Sequence, residues 1–447
     1  MTLELNDKQR HARDEVLRFA EDPLNAIFMV SGLAGTGKTT VLELAVEGLM
    51  LAGLRPAVCT PTGKAAHVIN GKAKGKFLAT TLHKVLSVRP IDNLAQTHKR
   101  LDELTQKEMG EGLSDDEKME EQSLLVDLDS NKSNKLSFEP VPIEAFLAKY
   151  DILVFDEASM IGKTKTYDKL IERIPCPKIF FGDAAQLPPV QDTPALNLDQ
   201  ANVRLTEIMR QAADSGILPV AHHVQAKKDW LPLREMAKFK DITIRKDFHP
   251  DMVAGFETSH QILCWKNATR HQVAKRVRET QVAFHGSLHP FLPMEGEKVM
   301  VDENDDEKRL LKGQLLTIKV VTHYNTRANP FLCVVKCTDE WGKERTLTLS
   351  LTDLCEGYDM RDEASYGTTY RQDSMKRWAD KEGVKVMWPY CLTVHKAQGS
   401  EWKKVVYLAE MPQSNKEWRK HAYTAITRAS EEVVLCDYAF KFDRSLG

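Results

Sequence analysis

The run Gly32-Leu33-Ala34-Gly35-Thr36-Gly37-Lys38-Thr39 has the residue types and spacing of a phosphate-binding loop. Its glycines let backbone N–H groups curl around phosphate oxygens, and a helix opening at its end adds partial positive charge. Lys38 has the reach to meet the β- and γ-phosphates, and the Thr39 hydroxyl can hold Mg²⁺. Gly32, Gly35, Thr36, Gly37, Lys38, Thr39 and Thr40 are therefore the expected triphosphate cradle. An acidic pair, Asp156-Glu157, stands far downstream. Asp156 can hold the metal, and Glu157 can orient and deprotonate an attacking water. Phosphoryl transfer depends on positioning and on neutralising charge. Cations must therefore also reach the γ-phosphate, and Arg210 and Arg428 are the candidates.

These groups act together only if folded elements bring them to one place. The apolar run 26–30 leads into the loop as a strand, and the stretch 40–50 leaves it as a helix. Residues 55–60 form a second strand, with a turn and helix over 61–69. The runs 152–155 and 178–181 are short, continuously apolar but for Lys178 at the start of the second, and followed by acids within a few residues. Such runs suit a parallel sheet covered by helices on both faces. The acids then stand at the strands' carboxyl ends, where open α/β sheets bind ligands. A second α/β pattern starts near residue 203 and resumes at 391–394, 405–408 and 432–436. Between its halves, the runs 317–322, 331–335 and 345–350 read as strands of a small β-module.

At 447 residues the chain is too long for one core. Hydrophobic residues make up 42% and charged residues 28%, which fits a globular protein. A net charge of −2 neither predicts nor excludes a nucleic-acid partner, so a local basic groove must do that work. Residues 101–129 hold eleven acids against two bases, marking 88–145 as a solvated insertion unlike its flanks. The eight cysteines form no C-x-x-C pair. Cys333 and Cys337 fall on one strand face without the further ligands a zinc site needs. All eight read as reduced thiols, and a cytoplasmic setting is expected. The N-terminus lacks a signal-peptide core, no run of about 18 apolar residues occurs, and no membrane span is expected.

The order of blocks along the chain resembles superfamily-1 helicases of the RecD/Dda-like class B branch. The blocks are 32–39, 60–66 (Thr-Pro-Thr-Gly-Lys-Ala-Ala), 79–83 (Ala-Thr-Thr-Leu-His), 156–160 (Asp-Glu-Ala-Ser-Met), 182–190 (Gly-Asp-Ala-Ala-Gln-Leu-Pro-Pro-Val), 393–399 (Thr-Val-His-Lys-Ala-Gln-Gly) and 423–428 (Tyr-Thr-Ala-Ile-Thr-Arg). The resemblance implies two RecA-like P-loop cores with parallel sheets. It also implies a small insertion in the first core and a β-barrel-like, SH3-like insertion in the second. The expected division is 1–87 with 146–202, 88–145, 203–295 with 387–447, and 296–386. By the same resemblance, Gln9 reads the adenine edge and Gln186 senses the γ-phosphate. Arg210 and Arg428 are presented from the second core, with Gly399 beside the same phosphate. Pro61, Thr62, His83, Thr393, His395 and Lys396 match positions that line single-stranded DNA, and Phe138 is a candidate for the tip of a duplex-splitting pin.

The expected activity is ATP- and Mg²⁺-dependent translocation 5′ to 3′ on single-stranded DNA with duplex unwinding, in replication, recombination or repair. A monomer is expected, acting at single/double-strand junctions, with single-strand-binding or replication proteins as partners. Two other readings stay open: a translocase that strips proteins from single strands while unwinding weakly, and a nucleotide-gated DNA-binding or loading module. A P-loop kinase or GTPase does not fit, because the chain carries the late blocks at 393–428 and lacks the guanine-reading Asn-Lys-x-Asp.

Overall fold

The computed structural model describes residues 5–88, 139–208, 215–245, 259–281, 291–356 and 369–436, with residues 114 and 248, apart from residues 23, 228, 229, 231, 232, 237, 306, 307, 309, 325–328, 341 and 413. After the helix Asp7–Ala20 the first strands are β1 (Ile27–Gly32), β2 (Pro56–Thr60) and β3 (Ala79–Thr81), with the helices Lys38–Leu51 and Gly63–Ala73 between them. A short antiparallel pair follows, β4 (Ser87–Val88) and β5 (Glu139–Pro140), closing the two ends of the insertion against each other. Then come β6 (Ile152–Phe155), β7 (Lys178–Gly182) and β8 (Val203–Leu205). The first sheet has the order β3-β2-β6-β7-β1-β8, and every pair in it is parallel.

The continuous apolar runs follow from this sheet. Side chains alternate across a strand, so a strand covered on both faces has no polar side. Ile152 and Val154 pack with the helices Asp7–Ala20 and Lys38–Leu51, whereas Leu153 and Phe155 pack with Phe146, Ile171 and Phe180 on the other face. All residues of β6 and β7 are buried.

The second core holds β9 (Ile242–Arg245), β10 (His260–Cys264), β16 (Cys391–Thr393), β17 (Trp402–Leu408) and β18 (Ala429–Cys436). Its order is β16-β10-β17-β18-β9, again all parallel. Between β10 and β16 the chain builds a closed barrel from β11 (Lys298–Val301), β12 (Leu315–Tyr324), β13 (Leu332–Asp339), β14 (Glu344–Ser350) and β15 (Val384–Met387). These are two RecA-like cores, with a barrel inserted in the second.

Barrel and second core share one apolar cluster: Ile262, Val406 and Val434 of the sheet pack continuously with Val299, Ile318 and Leu349 of the barrel. Cys333 and Cys337 both point into that cluster, and all eight cysteines are buried thiols. Two ion pairs, one half-buried and one buried, reinforce the seam. Arg270 of the helix Asn267–Gln281 meets Asp353 at 2.5 Å, and Arg278 meets Glu297 at 2.6 Å, with Tyr390 donating to Glu297 at 2.9 Å.

One boundary shifts. The strand at 203–205, expected to open the second core, pairs with β1 and forms the edge of the first sheet. Its middle residue, Arg204, is exposed, as an edge position allows. Nearly all of the acidic run 101–129, together with Phe138, lies outside the described residues. Among the described residues, no helix is long and apolar enough to cross a membrane.

Candidate active site

The loop after β1 turns at Gly35 and Gly37, with φ of 81° and 80°. Both lie in the left-handed region, where a side chain costs energy. Gly32 is needed for another reason: a Cβ there would stand 2.6 Å from Thr36 Oγ1. Lys38 opens the following helix, and its ammonium donates to the carbonyls of Gly32 (2.7 Å) and Leu33 (3.1 Å). Asp183 Oδ2, just past β7, lies 3.8 Å from the same nitrogen.

Asp156 and Glu157 follow β6. Glu157 has φ of 54°, an uncommon setting for a residue with a side chain. Strain of this kind gathers at functional sites. Burial, reinforced by the adjoining Glu157 carboxylate, pushes the Asp156 carboxyl up to about 7. One oxygen each of Glu157 and Gln186 is buried with no hydrogen-bond partner among the described residues. A concave site with a buried, raised acid and orphaned acceptors is suited to take a cation and polar ligand atoms.

These groups border a cavity of about 450 Å³ between the two cores. The first core supplies Gln9, Gly35, Gly37, Lys38, Thr39, Thr40, Asp156, Glu157 and Gln186; the second supplies Gly399, Ser400, Glu401, Thr427 and Arg428. Arg428 is fixed within its own core. Its Nε donates to Thr424 O (3.1 Å), Nη1 to Ser400 O (3.3 Å) and Nη2 to Thr427 Oγ1 (3.4 Å). Gly399, with φ of 73°, brings the second core so close to the first that a Cβ would be 3.1 Å from Thr62 Oγ1.

Gln9 is buried and lines the cavity, but its amide also has structural duties. Its Oε1 accepts from Asn6 N–H in a capping box, and its Nε2 donates to Thr36 O at 3.0 Å. Gly32 and Thr36 shape the loop from behind and do not border the cavity. Arg210 lies outside the described residues. Lys72, Ser400 and Glu401 line the cavity from outside the motif blocks, and Thr427, inside the block 423–428, lines it without having been assigned a role. Lys72 had a signal: Ala65, Val68, Ile69 and Lys72 share one face of the helix Gly63–Ala73 at three- and four-residue spacing.

None of the six residues matched to the DNA track borders this cavity. His83 is exposed, Pro61 and His395 are half-buried, and Thr393 is buried. The Thr62 hydroxyl caps the helix Gly63–Ala73 by accepting from Ala65 N–H. The Lys396 ammonium is paired with Asp302 of the barrel at 2.6 Å, so a phosphate there must share or displace that pair.

Residues 4–243 match the family described as AAA domain, and residues 389–436 match the UvrD-like helicase C-terminal domain. The chain belongs to the AAA-domain family, and it is similar to helicases of the RecD2 and Dda type. The ATP-dependent RecD2 DNA helicase of Deinococcus radiodurans is 26% identical over 416 residues, covering 91% of this chain and 46% of that protein. The ATP-dependent DNA helicase dda of Enterobacteria phage T4 is 26% identical over 190 residues, 42% of this chain and 34% of its own length. The chain thus spans less than half the length of either relative. Among solved structures, a Bacteroides Pif1 helicase in complex with ADP-AlF3 and ssDNA superposes with a TM-score of 0.54 at 17% identity, covering 98% of this chain and 94% of that one. The Pif1 helicase of Candida albicans gives 0.52 at 16%, covering 98% and 96%. These likenesses concern the fold.

Proposed function

We propose that the protein is an ATP-dependent DNA helicase that moves 5′ to 3′ along single-stranded DNA and opens duplex ahead of it. The observation that carries this reading is the composition of one cavity, which draws Lys38, Asp156, Glu157 and Gln186 from one core and Gly399 and Arg428 from the other. A triphosphate there is fully neutralised only when the cores stand together. The backbone of 35–39 and Lys38 cradle the phosphates. Glu157 orients and deprotonates the attacking water, and Gln186 reports the γ-phosphate. Arg428, joined by Arg210, neutralises charge that builds on the transferring group. Thr39 and Asp156 would hold Mg²⁺, which when bound supplies positive charge at the phosphate oxygens. The Asp156 carboxyl, buried and raised, fits that role because a nearby cation restores its ionised form.

Hydrolysis removes the link between the cores and lets them part. If Pro61, Thr62 and His83 grip DNA in alternation with Thr393, His395 and Lys396, each cycle advances the strand. Such contacts, to phosphates and stacked bases, are largely independent of sequence. The names of the RecD2 and dda relatives support DNA as the track, and the resemblance of the sequence blocks to class B helicases supports the 5′ to 3′ polarity.

The test is strand displacement on duplexes with a 5′ tail, a 3′ tail or none, with ATP and Mg²⁺. Displacement should need the 5′ tail, and Lys38→Ala should lower turnover by about 10³-fold or more. Equal displacement of a 3′-tailed substrate, or wild-type turnover in the Lys38 variant, refutes this reading.

A further inference from the structure

The second core reaches the phosphate-binding loop away from Arg428 as well. Its helix Trp418–Ile426 carries Tyr423, whose side chain is fully buried. The ring lies 6.1 Å from the His222 imidazole at an angle of 20°. The hydroxyl accepts from Ala34 N–H, inside the loop, at 2.7 Å. It donates to Asp183 Oδ2, also at 2.7 Å. That same oxygen is the one 3.8 Å from Lys38 Nζ. Asp183 is wholly buried, and its other oxygen accepts from Ala185 N–H at 3.0 Å.

A tyrosine from one core and the phosphate lysine of the other therefore share one charged oxygen. Burial and the Asp183 charge hold the Tyr423 phenol well above its ordinary range, so it stays a donor. A hydrogen bond to a buried carboxylate is among the stronger ones. It draws charge density away from the side facing Lys38. Without that donor, the carboxylate turns more fully to its remaining cation, because a buried charge left unpaired is costly.

We propose that Tyr423 is a positioning residue that couples the second core to Lys38. Its hydroxyl holds Asp183 and the Ala34 amide so that the lysine can follow the γ-phosphate, and movement of the helix Trp418–Ile426 tightens or loosens that hold. The inference rests on the reading of the cavity as the ATP site. It adds a second line between the cores, acting through Asp183 rather than through the transferring phosphate. Turnover stimulated by DNA should depend on it more than ATP binding does.

The test uses the full chain with Tyr423→Phe, which keeps the ring against His222 and removes only the hydroxyl. Steady-state turnover with saturating single-stranded DNA, the KM for ATP, titration with a fluorescent ATP analogue and thermal unfolding are measured together. We expect kcat to fall roughly tenfold or more, as for loss of a hydrogen bond to a charged group, with analogue affinity near that of the wild type. Asp183→Asn should reproduce the effect, and the double variant should fall short of the product of the single effects. Wild-type kcat in Tyr423→Phe overturns the proposal. So does a matched loss of binding and turnover with a lowered melting temperature, which a merely structural role would give. Wild-type turnover in Lys38→Ala would instead bring down the site reading, and this inference with it.

Discussion

Arg428→Ala removes the guanidinium that the second core turns toward the cavity. Its three hydrogen bonds measure 3.1, 3.3 and 3.4 Å, one of ordinary length and two long. Their loss should cost roughly 1–3 kcal/mol of stability. Against a usual margin of about 5–15 kcal/mol the chain stays folded, and the melting temperature drops by roughly 2–10 °C. Losing a cation at a transferring phosphoryl group acts on a larger scale, about 10³- to 10⁵-fold in kcat, or roughly 4–7 kcal/mol of barrier. The smaller figure cannot produce the larger by partial unfolding. The assay sets DNA-stimulated turnover beside titration with a fluorescent ATP analogue and thermal unfolding. Binding should be retained while stimulated turnover is lost. Arg428→Lys, which keeps charge but not the planar fork, should recover some melting temperature and little turnover. If Arg428→Ala keeps stimulated turnover within about tenfold of wild type, the assignment of this arginine is refuted.

Gly37→Ala should weaken analogue binding by roughly tenfold or more, because φ of 80° costs a side chain about 1–2 kcal/mol and the new Cβ, 2.3 Å from Gln9 Nε2, displaces that amide; unchanged affinity would contradict the loop geometry. Asp353→Asn leaves the nearly buried Arg270 without its carboxylate. Stability should fall by roughly 2–4 kcal/mol, below the full cost of breaking a buried pair because Asp353 is 23% exposed. A urea midpoint equal to wild type would disprove that seam contact. Burial pushes the His421 imidazole down to about 3 from its ordinary 6.5. The unfolded chain therefore takes up a proton below about 6.5 that the folded chain refuses, so this contribution is full above that pH and declines as pH falls toward 3. His421→Gln should flatten the loss of stability between pH 7 and pH 5, by up to about 2 kcal/mol at pH 5. Parallel pH profiles for variant and wild type would rule His421 out as the cause.

Local spacing carried a large part of this protein into view. The glycines of the loop announce left-handed turns, and the apolar runs 152–155 and 178–181 announce strands covered on both faces. The β character of 317–350 announces the barrel's middle strands. Other features left no such trace. The three residues 203–205 are too few to show a period, so their place at the edge of the first sheet comes only from pairing with β1. Lys396 is expected from its block to line the DNA track, yet folding sets Asp302 beside it. Tyr423 was visible as part of a block, but nothing in its neighbours reveals the hydroxyl bridge to Ala34 and Asp183.

The amino-acid sequence alone decided which residues have phosphate chemistry and which short elements carry them, because turns, strands and helix starts obey rules that act over a few residues. The packing of the two cores decided which of those residues meet. Ala34 and Tyr423 are 389 positions apart, and Asp183 and Tyr423 are 240 apart. No local rule sets such distances; they follow from how each core buries its own sheet and which surfaces are left to face each other.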